Sequence, residues 1–95
     1  MRGLLYEDLL PGTVWSLVSD LGDFRYLLRV GERRDEEVVA DLITWSSRTR
    51  CVLEHSAEVL HGESGDDGGI WVGCRCRQLT EYDWLMFRIT EEWTF

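Results

Sequence analysis

Residues 71–79, WVGCRCRQL, alternate two cysteines with two arginines. Thiols two apart suggest half of a metal site or a disulfide. Guanidinium groups two apart suggest a grip on a carboxylate or phosphate. On an extended strand, residues i and i+2 share a face. Val72, Cys74 and Cys76 then form a small apolar face, and Trp71, Gly73, Arg75 and Arg77 an aromatic and cationic one. Two strand steps separate the cysteine Cβ atoms by ~6.6 Å, against the roughly 3.5–4.5 Å of a disulfide. Tetrahedral zinc would need the sulfurs within ~4 Å of each other. Cys51, His55 and His61 are the remaining zinc-ligand candidates, but the spacing is not that of a zinc knuckle. Free cysteine packs as a small hydrophobe, so the thiol face is expected in the core. Neither a metal nor a cofactor is expected.

No residues point to catalysis. The chain lacks G-x-S-x-G, a P-loop and a dinucleotide fingerprint. His55 and Glu54 are neighbours, and on a strand neighbours face opposite ways, so they form no dyad. The expectation is a protein that is not an enzyme.

Five tryptophans in 95 residues, and cations that are all arginine, carry the binding signal. Trp and Arg dominate interaction hot spots. Arg25, Arg29, Arg75, Arg77 and Arg88 fall on strand faces opposite the apolar ones, and Trp71 and Trp84 flank an expected hairpin where both would be displayed. These seven are the candidate binding residues. If the strands at 24–30 and 71–79 are neighbours, four guanidinium groups converge. The competing reading pairs them with the chain's own acids, among them Glu32, Glu37, Glu81 and Glu91, across strands.

Eighteen acids against ten arginines leave a net charge of -8, which opposes nucleic-acid binding. No apolar run approaches the ~20 residues of a membrane helix. MRGLLYEDLLPG reaches acids too early for a signal peptide, and three cysteines without an export signal suggest reduced thiols, so a cytoplasmic location is expected. The absence of lysine and asparagine fits a GC-rich coding sequence of actinobacterial or phage origin.

The elements that would position these residues read as strands. TVWSLVS (13–19) is β-branched and aromatic, and Gly22 in the following DLGD suits a positive φ in a hairpin loop. FRYLLRV (24–30) puts Phe24, Tyr26, Leu28 and Val30 on one face and Arg25, Leu27 and Arg29 on the other. GERRDEE is a charged turn. Residues 38–45 suit a helix capped by Asp35 or a strand; their Val, Ile, Thr and Trp content tips them to strand. CVLEH (51–55) follows. Residues 62–69, with four glycines and three acids, read as a flexible loop. Residues 70–79 and 84–90 read as strands joined by a hairpin at LTEYD. The whole is expected to be one all-β, mostly antiparallel domain over 1–95, with a lead at 1–12 and five to seven short strands forming an SH3-like barrel or compact sandwich.

The function this implies is a small acidic protein-interaction module, of the kind a phage or accessory bacterial gene supplies as an inhibitor of a host protein. It would bind through the Arg/Trp face or its acidic surface, and homo-oligomers are compatible with it. The alternatives are a binder of a small anionic ligand such as a nucleotide, and a zinc-stabilised module.

Overall fold

Alternation in the sequence becomes a five-stranded antiparallel sheet in the computed structural model, which describes residues 4–19, 22–61, 69–70 and 74–95. The strands are β1 (Leu4–Leu5), β2 (Val14–Ser19), β3 (Phe24–Arg34), β4 (Glu37–Ser46), β5 (Cys51–His61), β6 (Gly69–Ile70) and β7 (Cys74–Leu79), followed by helix α1 (Glu81–Thr90). The main sheet has the order β5-β4-β3-β2-β7, and β1 pairs with β6 as a small ribbon. The fold is all-β and mostly antiparallel, as expected. The barrel does not close: among the described residues β5 and β7 are the two edges of an open sheet.

Both faces of the sheet are covered over β2, β3 and β4, while β5 stays largely exposed. On one, Leu17, Leu28, Val30, Val38 and Ala40 pack with Cys74 beneath Leu4 and Leu9 of the lead. A 3-10 turn at Tyr6–Asp8 carries the lead across this face. Pro11–Gly12 then reverses it: Gly12 takes φ +85, the Thr13 N–H donates to the Leu10 carbonyl at 3.1 Å and the Gly12 N–H to Val30 at 2.9 Å. Pro followed by a positive-φ Gly is the signature of a type II turn. The positive φ expected at Gly22 belongs to a hairpin loop whose residues 20 and 21 lie outside the described residues. The Tyr6 hydroxyl donates to the Asp35 carbonyl, and the Arg33 guanidinium lies 4.5 Å over the Tyr6 ring. The lead is thus fastened to the β3–β4 hairpin.

On the other face Val14, Leu27, Ile43 and Trp45 meet Trp84 and Phe87 of α1 and Trp93 beyond it. A helix at 81–90 overturns the expected strand at 84–90 and the hairpin before it. Thr80 caps the helix: its hydroxyl accepts from the Asp83 N–H at 3.2 Å, and the Asp83 carboxylate accepts from the Thr80 N–H at 2.9 Å. This capping box satisfies two helix-terminal donors reciprocally. Acidic Glu81 and Asp83 in the first turn and Arg88 in the last suit the helix dipole.

The strands outrun their sequence limits. GERRDEE continues β3 and opens β4, leaving Asp35 and Glu36 as the turn, and the register shifts between Val30 and Arg33. Gly31 sits in this irregularity, where a Cβ would lie 3.0 Å from the Val39 carbonyl oxygen. Residues 38–45 are strand, as their composition favours. No helix among the described residues is long and apolar enough to cross a membrane.

Candidate functional site: an arginine-lined cleft

Strand register decides which arginines meet. β2 lies between β3 and β7, so the strands carrying them are not direct neighbours. Val18 pairs with Arg25 on one side and with Arg75 on the other, while Ser16 pairs with Arg77. All of these side chains stand on the α1 face. Two strand spacings of about 4.8 Å each put Arg25 and Arg75 within reach of a single anion. Between them lies an open cleft of about 360 Å³, lined by Val18, Arg25, Arg75, Arg77, Trp93 and Phe95. Three of the four expected guanidinium groups converge here.

The fourth, Arg29, is drawn elsewhere on the same face. Its Nε donates to both carboxylate oxygens of Glu81, at 2.8 and 3.2 Å. Arg88 lies on α1 beside a different hollow with His55, Val52 and Glu91. Trp84, expected on display, is 4% exposed and turns its ring toward His55 at 6.2 Å. It is a core residue because the helix aims it at the sheet. Trp71 lies outside the described residues, as do Glu63, Asp66 and Asp67 of the acidic loop.

The thiol and arginine faces of β7 separate as expected. Cys74 is buried with the lead-side core and Cys76 packs against it, while Arg75 and Arg77 are exposed on the opposite face. That second face is no simple exterior: Leu79 on it is buried beneath α1. The arginines stand where the helix layer ends.

Trp93 and Phe95 were not candidates in the sequence, yet they form the aromatic wall of the cleft. Trp93 stacks on Trp45 at 5.7 Å and meets Phe87 and Phe95 edge-on at 5.9 and 5.3 Å. The Arg25 guanidinium lies 5.7 Å from the Trp45 ring and 5.8 Å from that of Trp93. Such cation–π contacts hold the side chain toward the cleft without neutralising it. Glu91 brings the tail into place. It adopts φ 54 at the helix end, with its N–H donating to the Phe87 carbonyl, and its own carbonyl accepts from the Trp45 indole at 3.3 Å.

Arg34 and Glu32 are 3.1 Å apart, and the hydrogen bond and charge of Arg34 hold Glu32 below its ordinary carboxylate range. The candidate zinc ligands are split between opposite edges of the sheet. Cys51, His55 and His61 lie on β5, and Cys74 and Cys76 on β7, four strand spacings or about 19 Å apart. Among the described residues no group of three His, Cys, Asp or Glu side chains gathers into a metal site.

No family model, curated protein or solved structure matches this chain.

Proposed function

We propose that this domain is a non-enzymatic interaction module whose Arg25–Arg75–Arg77 cleft receives a carboxylate-bearing segment of a partner protein. The carrying observation is the convergence of three guanidinium groups on one open cleft beside an aromatic wall, in a chain whose net charge is -8. A local cationic site on an acidic molecule selects an anion by position rather than by bulk attraction. Planar forks suit carboxylates bidentately. Inhibition of a bacterial host factor is one use such a module serves.

A free nucleotide has less in its favour. Base recognition would use an open ring face, but Trp93 is 8% exposed and its ring is engaged by Trp45, Arg25 and the two phenylalanines. Among the described residues lining the cleft, Phe95 alone offers a partly exposed ring.

An array of acidic peptides, with and without aromatic residues, tests this reading, with ATP as the comparison ligand. The wild-type protein is expected to retain a subset of peptides, with affinity that falls as salt rises. Arg75→Ala with Arg77→Ala is expected to weaken that binding at least tenfold and leave the melting temperature nearly unchanged, because exposed charges contribute little to stability. Peptide binding indifferent to the arginine pair would refute the assignment. Binding of ATP alone would replace the peptide by a nucleotide.

A further inference from the structure

Helix α1 has two apolar sides, and the fold uses one. Trp84 and Phe87 face the sheet and are buried. Tyr82, Leu85, Met86 and Ile89 recur at i, i+3, i+4 and i+7, the spacing of a single helical stripe, and are exposed by 37% at Met86 to 76% at Ile89. At about 100° per residue, this stripe points directly away from the sheet. Scattered exposed apolar residues are ordinary, but a contiguous apolar patch marks an interaction surface.

The residues flanking the stripe indicate its occupant. Glu81 and Arg88 are seven apart and so share one flank. When two copies of a helix pack antiparallel about a two-fold axis, each flank meets the same flank of the other copy in reversed order. A two-fold between Leu85 and Met86 sets Tyr82 against Ile89 of the second copy and Leu85 against Met86. On the shared flank, Glu81 and Arg88 of the second copy then lie two residues, or ~3 Å along the axis, from level, an offset their long side chains span. The interface is isologous, as a closed dimer requires. Its apolar seam and opposite charges match themselves in this one orientation, much as in an antiparallel coiled coil. A parallel two-fold would set each flank against the opposite one, bringing Glu81 near Asp83 and Arg88 near Thr90 of the second copy. Glu81 already accepts from Arg29 along one edge, and a carboxylate has acceptor sites for a second guanidinium.

The geometry points to a homodimer formed by antiparallel packing of α1 against α1 of a second copy, through the Tyr82–Leu85–Met86–Ile89 seam. One ten-residue helix offers less than the ~800 Å² per partner of a standard interface, so the dimer is a weak, concentration-dependent one. None of these four residues lines the arginine cleft, and the inference stands apart from the proposed function.

Sedimentation equilibrium from about 10 μM to about 1 mM protein, at about 0.15 M salt to screen the net charge, tests it. The wild-type average mass is expected to rise from one chain toward two. Ile89→Glu is expected to hold the mass at one chain with an unchanged circular dichroism spectrum and melting temperature. Glu81→Arg and Arg88→Glu, each confirmed folded, are expected to be monomeric alone and to dimerise when mixed in equal amounts, since only the mixture restores both opposite-charge pairs. A wild-type protein still monomeric at about 1 mM overturns the proposal, as does a dimer indifferent to Ile89→Glu. A mixture that stays monomeric overturns the antiparallel two-fold.

Discussion

Glu91 occupies the position where helices most often end in glycine. Its φ of 54 is left-handed, a region that costs a non-glycine residue about 1 kcal/mol. The conformation is held because the Glu91 N–H closes onto Phe87 at 2.7 Å and the Glu91 carbonyl takes the Trp45 indole proton. Both bonds are backbone bonds at residue 91, so they survive a change of side chain. Glu91→Gly is therefore expected to stabilise the domain by about 0.5–1 kcal/mol in urea unfolding, even though glycine adds entropy to the unfolded chain. A loss of stability would mean that the glutamate side chain, beside Arg88 in the same hollow, contributes more than the backbone strain costs. Single residues were only partly legible in the sequence. The thiol face of β7 was, because period-two alternation needs no knowledge of neighbours. The burial of Trp84 was not, because its direction depends on whether residues 81–90 are helix or strand.

At the scale of elements, that one assignment separates what alternation reveals from what it hides. Phe24–Val30 read correctly because a half-buried strand repeats every two residues, and 38–45 because Val, Ile, Thr and Trp favour strand where the spacing alone suited either element. Trp84, Phe87, Ile89 and Thr90 are residue types enriched in strands, and their composition outweighed a local signal. That signal was Thr80-x-x-Asp83, a helix start written in side chains that reach back to the backbone. The reading of strand also displaced the cleft. Residues 91–95 enter it only because the helix turns the chain back over the sheet, so Trp93 and Phe95 could not be placed, although Arg25, Arg75 and Arg77 could. The cap is the element's switch. Thr80→Ala removes the acceptor of the Asp83 N–H and is expected to cost about 1 kcal/mol, within the usual 0.5–2 for an N-cap, while Thr80→Ser is expected to cost less. Amide exchange at Asp83 is expected to quicken in the alanine variant before exchange in β3 and β4 does. Equal quickening throughout would indicate that the cap acts on global stability alone.

At the scale of the molecule, one sheet separates two cores, and neither layer that covers it could stand by itself. The lead and the β1–β6 ribbon hold Leu4 and Leu9 against one face. The helix and tail hold Phe87 and Trp93 against the other. Among the described residues the sheet has open edges at β5 and β7, so strand pairing around a ring does not tie them together. Cohesion instead passes through β2, β3 and β4, whose alternate residues feed both cores: Leu17 beside Val14, Leu28 beside Leu27, Ala40 beside Ile43. Unfolding either face exposes strands that the other face needs, so the domain is expected to unfold in one cooperative transition, as small single domains usually do. Leu9→Ala empties a site on the lead face and is expected to cost 2–5 kcal/mol, and Phe87→Ala on the helix face about 3–5 kcal/mol. Each change is expected to lower a single melting temperature, read identically by far-ultraviolet circular dichroism and by tryptophan fluorescence. Fluorescence reports mainly on the helix face, where Trp45, Trp84 and Trp93 lie. If Leu9→Ala shifted the circular dichroism transition and left the fluorescence transition in place, the two cores would be independent, and the sheet would be a partition between them rather than their common support.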